Sequence, residues 1–365
     1  MTASVYRDKR VLVTGHTGFK GAWLCAWLLS LGADVVGYAL DTAGPQDVST
    51  MTGLGGRVDS RIADVRDLDT LRCVMRETRP EVVFHLAAQA LVRPSYVAPI
   101  ETFQTNVMGT VNVLEAVRAT PSVRAVVIVT SDKCYENLEH VRGYREDEPM
   151  GGRDPYSASK GCAEIALASY RLSFFDPSRP GSSAAGVASA RAGNVIGGGD
   201  HAPDRIVPDC VRALSAGEPV SVRNPSSTRP WQHVLEPLGG YLLLGARLLD
   251  DPGSYAEAFN FGPESGGHVT VGDLVDLVVR RWGSGSWVHA PEPGAAHEAG
   301  MLSLDVTKAA ERLGWRPVLD AGEAVALTVD WYRAVASGED AWALTRAQVG
   351  EYERLAAERG RAVAG

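Results

Sequence analysis

Tyr156 and Lys160 stand four residues apart in Tyr-Ser-Ala-Ser-Lys, a spacing that puts a phenol and an ammonium on one face of a helix. A cation beside a phenol favours the phenolate and draws a tyrosine pKa down from about 10. Such a tyrosine can take the proton from a hydroxyl while hydride leaves the same carbon. Asp154-Pro155, just ahead, supplies a helix start. Upstream, the apolar run ending at Val129-Thr130 is followed by Ser131, Asp132 and Lys133, a hydroxyl, a carboxyl and an amine in succession. Ligands in open α/β sheets bind beyond the carboxyl ends of strands, so these three are aimed at the same place as Tyr156. The plainer alternative is a polar strand exit with solvated charges.

A second constellation lies near the N-terminus, in Gly15-His16-Thr17-Gly18-Phe19-Lys20-Gly21. Glycines at this spacing between a strand and a helix let backbone amides approach a pyrophosphate, with the helix dipole favouring its charge. The chain has 39 glycines, so the motif's place after the first strand is what gives it weight. Asp41 follows Gly21 by about twenty residues, at the end of the second strand, where a carboxylate accepts from a ribose 2′-hydroxyl and repels a 2′-phosphate. The cofactor expected is therefore NAD rather than NADP; otherwise Asp41 is a turn residue. Lys20 either meets a phosphate or is solvated. Asp64-Val65, after a weak third strand, faces the adenine or else caps a helix. His85, within an apolar strand, reads as a core histidine.

The elements that must carry these residues alternate. Strands are expected at Arg10–Thr14, Asp34–Leu40, Arg61–Ala63, Glu81–Leu86 and Arg124–Thr130, and helical patterns at Trp23–Leu31, Asp67–Glu77 and Thr102–Arg118. The strand runs are almost wholly apolar, as in parallel sheets covered on both faces. The fold expected is α/β, a Rossmann-type doubly wound parallel sheet with a smaller C-terminal substrate-binding lobe. Residues 1–190 form the NAD-binding part, with a return segment near 232–262 that includes a strand at Ala258–Phe261. Residues 191–231 and 263–340 form the lobe, with an amphipathic helix at Val271–Trp282, and 341–365 a polar helical tail.

Of 365 residues, 45% are hydrophobic and 22% charged, with a formal net charge of −8, which excludes a global basic field for nucleic acid. There is no signal-like N-terminus and no stretch fit to span a bilayer. Five scattered cysteines without a CxxC pair argue against a disulfide framework or a metal site and for reduced, cytoplasmic thiols.

Together, TGHTGFKG, the His85–Tyr96 stretch, TSDKCY, MGGRDPYSASKG, RAGNVIGGGD and RPWQHVLEP resemble the CDP-glucose 4,6-dehydratases of the extended short-chain dehydrogenase/reductase superfamily. The resemblance spans about residues 9–335 and is thinnest over 283–300. Ser-Asp-Lys after the fifth strand is its narrowest mark, since the related dTDP-glucose dehydratases usually carry Thr-Asp-Glu there. It implies that Tyr156 takes the sugar 4-hydroxyl proton as hydride passes to NAD⁺, with Lys160 holding the tyrosine ionised and binding the nicotinamide ribose. Ser131 bonds the 4-oxygen, Lys133 as the neutral amine takes the C5 proton, and Asp132 protonates the departing 6-hydroxyl before hydride returns to C6. It also adds Leu86, Ala87, Ala88, Gln89 and Asn106 to the cofactor site. Arg191, Asn194, Arg229, Trp231 and His297 fall on the substrate side, although any one arginine is as readily a salt bridge and Trp231 as readily core packing.

The partner implied is a nucleotide-diphosphate sugar, CDP-glucose by resemblance, with another NDP-hexose or a heptose as alternatives. A nucleotide-sugar 4-epimerase shares Tyr156 but has no use for an Asp132–Lys133 acid–base couple. A silent NAD-sensing protein has no use for any of the catalytic set. A homodimer or dimer of dimers is expected through Thr102–Arg118 and Tyr156–Phe175, each with two apolar sides: Val107, Val111 and Leu114 in the first, Ile165, Leu167 and Leu172 in the second.

Overall fold

The computed structural model describes residues 4–363 except 43, 141, 177, 180, 265–268 and 292–301. Its centre is a seven-stranded sheet of β1 (Arg10–Thr14), β2 (Asp34–Ala39), β3 (Asp59–Ile62), β4 (Val82–His85), β5 (Ala125–Val129), β6 (Gly186–Ala192) and a seventh strand, Ala258–Phe261. From one edge the order runs seventh, β6, β5, β4, β1, β2, β3, and every pairing is parallel. The strand order reverses between β1 and β4, which opens a crevice at their carboxyl ends.

Successive strand residues feed opposite layers, as the two-residue period of a strand requires. Val11, Val13, Phe84 and Val127 pack into one core with Trp23, Trp27 and the helix Leu235–Asp250. Leu12, Val83, Val126 and Ile128 pack into the other with Leu71, Val113 and Leu167. Both faces are dry, which accounts for the unbroken apolar runs of the sequence. The return of Ala258–Phe261 to the sheet is as the sequence anticipates, in parallel register with β6.

Two departures from the sequence reading are informative. The third strand begins at Asp59, two residues before the expected Arg61, although Ala63 N still bonds Ala39 O and prolongs the pairing. The expected helix Thr102–Arg118 is a helix at Pro99–Phe103, a π-turn at Gln104–Met108 and a helix at Gly109–Arg118. The π-turn carries Asn106, whose amide bonds Gln89 O at 3.0 Å and Ser159 Oγ at 2.8 Å, so the wider turn fits a buried polar anchor. The polar C-terminal segment, expected as a helical tail, is the helix Ala341–Glu358, and it packs on the core. Tyr352 is fully buried edge-on against Trp27, and its hydroxyl donates to Glu236 Oε2 at 2.9 Å.

The smaller cluster of apolar residues joins Val207, Cys210 and Leu214 to Leu274, Val275, Val278 and Val325. It is built on the helices Ile206–Ala216, Val271–Trp282 and Ala321–Ala336. No helix among the described residues is long and apolar enough to cross a membrane.

Candidate active site

The strand ends of the sheet and the smaller cluster enclose a cavity of about 1710 Å³. On its sheet side, β1 delivers the glycine turn into the first turn of α1 (Phe19–Ser30), whose N-cap is Gly18. Gly15 has φ +77, a left-handed conformation that glycine alone adopts without strain, and a Cβ on Gly21 would stand 2.1 Å from Gly15 O. A Cβ on Gly18 would meet only Gly15 O, at 3.4 Å, and otherwise occupy the cavity. The turn thus offers bare backbone at a helix N-terminus, a cradle for phosphate. Thr17, Phe19, Lys20, Asp64, Val65, Leu86, Ala87 and Ala88 line the same space.

The chemical residues meet at its floor. Asp154 caps the helix Pro155–Phe174 by accepting from Ser157 N at 2.9 Å, with Pro155 in the first turn, as the sequence anticipates. That fixes Tyr156 and Lys160 one turn apart, both buried. Beyond β5, Ser131 accepts from Lys133 N at 3.2 Å and donates to Asp132 Oδ1 at 2.9 Å. Ser131, Asp132, Lys133, Tyr156 and Lys160 all line the cavity, as do Asn194, Arg229 and Trp231 from the substrate side. The buried indole Nε1 of Trp231 has no acceptor among the described residues.

Burial sets the electrostatics. It pushes the Asp132 carboxyl up, against Lys133, Ser131, Lys20 and Arg229, which pull it down. It brings the Lys160 ammonium down to about 8. Burial also pushes the Tyr156 phenol up to about 12, because a desolvated phenolate loses its hydration. The expected lowering of Tyr156 by Lys160 is therefore corrected: Ser131 and Arg205 are the groups that pull this phenol down.

Four other expected residues do not line the cavity. Asp41 is exposed and borders an adjoining cleft of about 340 Å³, which shares Thr17 with the main cavity. Asn106 is spent on the Gln89 backbone, its Oδ1 accepting from Gln89 N at 2.8 Å, and on Ser159, while the Gln89 side-chain amide holds Leu91 and Thr102. Arg191 is buried with Nη2 on Glu164 at 2.8 Å and Nη1 on the Tyr135 hydroxyl at 2.7 Å, so it is a structural ion pair rather than a phosphate ligand. His297 lies outside the described residues. His85 is the core histidine it was read to be, with ring nitrogens on the hydroxyls of Thr14 and Thr110 at 2.7 and 3.1 Å. Asp64 pairs with Arg66, and the cap of the helix Leu68–Thr78 is Asp67 instead.

Sequence reasoning missed Gly193, Arg205 and Tyr241. A Cβ on Gly193 would come within 2.9 Å of Asp132 Oδ2, so glycine there makes room for the carboxylate. Arg205 lines the cavity from the loop before Ile206. Tyr241 sits in the apolar run Leu-Gly-Gly-Tyr-Leu-Leu-Leu, which reads as core and gives no sign of a hydroxyl near the floor.

The sequence pattern of the GDP-mannose 4,6 dehydratase family matches residues 12–258. The chain is 49% identical to a CDP-glucose 4,6-dehydratase of Salmonella typhimurium over 348 residues, covering 95% of this chain and 97% of that one. It is 30% identical to a dTDP-glucose 4,6-dehydratase of Streptomyces antibioticus, with 88% and 92% covered. Among solved structures, a Thermus thermophilus UDP-glucose 4-epimerase in complex with NAD superimposes with a TM-score of 0.75 at 27% identity, covering 89% of this chain and 99% of that one. A Bacillus anthracis dTDP-glucose 4,6-dehydratase does so with a TM-score of 0.75 at 20% identity, covering 93% and 100%, and bears on the fold alone.

Proposed function

Because the chain belongs to the GDP-mannose 4,6 dehydratase family of nucleotide-sugar dehydratases, in the extended short-chain dehydrogenase/reductase superfamily, we propose that it is an NAD-dependent hydro-lyase converting CDP-glucose to its 4-keto-6-deoxy derivative. The observation that carries this reading is a single cavity joining the glycine turn, the Tyr156–Lys160 pair and the Ser131-Asp132-Lys133 run. The 49% identity to a CDP-glucose enzyme favours cytidine over other bases.

The residues present fit NAD. Bare backbone at Gly15, Gly18 and Gly21 faces a helix N-terminus suited to a pyrophosphate. Asp64, Val65 and Leu86–Ala88 would flank the adenosine, and Asp41, across the adjoining cleft, would accept from its ribose. When bound, NAD supplies the hydride acceptor that opens the cycle and the donor that closes it. Tyr156 takes the proton of the sugar 4-hydroxyl, with Ser131 bonded to the 4-oxygen and Lys160 to the nicotinamide ribose. The ketone at C4 acidifies the C5 hydrogen, and Lys133 removes it. Asp132, which burial keeps receptive to a proton, delivers one to the departing 6-hydroxyl. Arg229 and Asn194, which line the cavity, would bind the diphosphate, and the Trp231 indole N–H would offer a donor to the substrate.

In this reading residues 1–190, with the return segment at 232–262, hold the cofactor, and 191–231 with 263–340 hold the sugar nucleotide. We place the enzyme in the cytoplasm, in keeping with five free thiols. We also expect a homodimer, alone or paired. Ile165 and Leu172 are exposed, as are the neighbouring Phe103 and Met108, while Leu114 and Leu167 face the core, so the helices keep an apolar side for a partner copy. A panel of CDP-, dTDP-, GDP- and UDP-sugars with product mass spectrometry tests the function. Loss of water from CDP-glucose supports it, and a product of unchanged mass points to a 4-epimerase instead.

A further inference from the structure

The Ser131-Asp132-Lys133 run is gripped at both ends by buried side chains. At its near end Thr130 donates to Glu164 Oε1, on the helix that carries Tyr156 and Lys160. At its far end, directly after the short 3-10 turn Asp132–Cys134, stands Tyr135, only 1% exposed. The Tyr135 hydroxyl accepts from Arg191 Nη1 at 2.7 Å and donates to Asn260 Oδ1 at 2.8 Å. Asn260 is fully buried on the seventh strand, and the rest of its amide is engaged as well. Its Nδ2 donates to Tyr144 O at 2.8 Å and to Asp305 O at 3.1 Å, while its backbone N donates to Glu146 Oε1 at 2.8 Å. One phenol thus ties the end of the run to β6, to the seventh strand and, through Asn260, to the segments that hold Tyr144 and Asp305.

Packing alone does not ask for a hydroxyl here. The Tyr135 ring stacks on Tyr144 with centroids 5.4 Å apart, in a small apolar cluster with Cys134, Leu302 and Leu304. Phenylalanine would fill that space equally well, and a buried hydroxyl is unfavourable unless it is bonded. What the hydroxyl adds is a fixed point two residues beyond Lys133. The other side of the turn is set by the helix Pro155–Phe174. Gly151 N donates to Cys134 O at 2.9 Å, and a Cβ on Gly161 would stand 3.1 Å from that same oxygen. The turn therefore lies between the helix of Tyr156 and the anchor at Tyr135.

We propose that Tyr135, held by Asn260 and Arg191, is a positioning residue for elimination, fixing Asp132 and Lys133 relative to Tyr156 and Lys160. Its hydroxyl is engaged by two protein partners and acts on the reaction only through the run. The role rests on the dehydratase reading, in which Tyr156 serves the oxidation at C4 and the Asp132–Lys133 couple serves C5 and C6. These two steps are assigned to two elements, a helix and a strand exit. Ser131, beside the Thr130 anchor, stays with the helix when the far end is loosened. Loss of the far anchor therefore disturbs proton transfer at C5 and C6 more than hydride transfer at C4. A misplacement of about 1 Å in such a group costs about a hundredfold in rate.

The test mixes full-length, NAD-loaded Tyr135→Phe with CDP-glucose, following reduced-nicotinamide absorbance by stopped flow and water loss by mass spectrometry. Rates are referred to the folded fraction measured by urea denaturation. Reduced nicotinamide should form within about threefold of the unaltered rate and then persist, with dehydrated product appearing roughly ten to a hundred times more slowly. KM should stay nearly unchanged. Asn260→Ala, which removes the same bond from the other side, should give the same pattern. The double variant should eliminate no more slowly than Asn260→Ala alone, because both changes break one contact. Equal slowing of both steps, or elimination at the normal rate, overturns the proposal. A raised KM with kcat intact also overturns it, by placing the hydroxyl on the substrate. Failure of the dehydratase reading shows separately, as absence of water loss in the unaltered enzyme.

Discussion

Two carboxylates, Glu164 and Asp132, are equally buried on neighbouring elements and have opposite fates. Glu164 accepts from the hydroxyls of Thr130 and Ser189 and from Arg191, which together outweigh its burial and hold it below the usual carboxylate range. Asp132 accepts from the Ser131 hydroxyl and has cations near it, yet burial prevails and pushes it up. Saturated hydrogen bonding makes a rigid joint that has no capacity for protons; incomplete saturation leaves a group able to exchange one. Glu164 joins β5, β6 and the helix Pro155–Phe174 immediately behind the residues proposed to do chemistry. One region is built to stay still so that the other can titrate.

The comparison breaks if changes on the floor of the cavity behave like changes in the joint. The largest effect is expected from Tyr156→Phe, with turnover down by about four orders of magnitude and no reduced-nicotinamide absorbance on mixing with substrate. Lys133→Met should lose roughly two to four orders of magnitude. It should still generate that absorbance, because Tyr156 and Lys160 remain, while releasing no dehydrated product. If Lys133→Met turns over normally, or loses the absorbance as well, its assignment as the C5 base is wrong. Glu164→Gln should act on stability instead. It leaves Arg191 buried beside a neutral amide, at about 3–5 kcal/mol by urea denaturation, with turnover of the folded fraction changed only a few-fold.

A third buried carboxyl sharpens the contrast. Glu236 accepts from Val318 N, Leu319 N and the Tyr352 hydroxyl, and the charge of Arg359 adds the smallest pull downward, so burial prevails and pushes it up to about 7. In the native state it binds a proton more tightly than in the unfolded chain, where the ordinary value is 4.5. Stability from this group is therefore fullest below about pH 4.5 and declines as pH rises through about 7, by up to about 3 kcal/mol. The difference in urea midpoint between the native protein and Glu236→Gln, followed across that window, measures it; a constant difference counts against it. The smallest change is expected at exposed Asp41. Asp41→Asn should narrow the preference for NAD over NADP about tenfold, read from the two dissociation constants.

Much of this was legible before any coordinates. Periodicity and glycine placement disclosed the parallel sheet, the returning strand and the helix Val271–Trp282, because strands buried on both faces and amphipathic helices write themselves into composition. The Tyr156–Lys160 spacing and the Ser131-Asp132-Lys133 run identified the cavity floor, because helix geometry and strand ends are local rules. Arg191 was left between the substrate and a salt bridge, because nothing local distinguishes an arginine facing a phosphate from one facing a helix carboxylate such as Glu164. The side-chain partners of Gln89 and Asn106 were hidden for the same reason, Asn106 bonding the Gln89 backbone and Ser159, and Gln89 bonding Leu91 and Thr102. The Tyr156 pKa expectation considered the neighbouring lysine but not desolvation, which depends on everything packed around the phenol. Tyr241 was invisible because the helix that brings its hydroxyl to Lys20 lies far away in sequence from the glycine turn.

The strand Ala258–Phe261 has a consequence for the order in which the protein is made. The edge of β6 that it covers is translated well before it, with the whole of residues 193–257 in between. Until then the nascent sheet carries an open, apolar edge of small residues, Gly-Val-Ala-Ser-Ala, of the kind that recruits foreign strands. Closing it requires a contact of high sequence separation, which is slow to form. The buried clasp between Tyr352 and Glu236 comes later still. A ribosome stalled between β6 and the strand Ala258–Phe261 would therefore hold a chain whose cofactor turn is complete but whose sheet is unsealed, and this is the stage at which chaperone capture or aggregation is most to be expected.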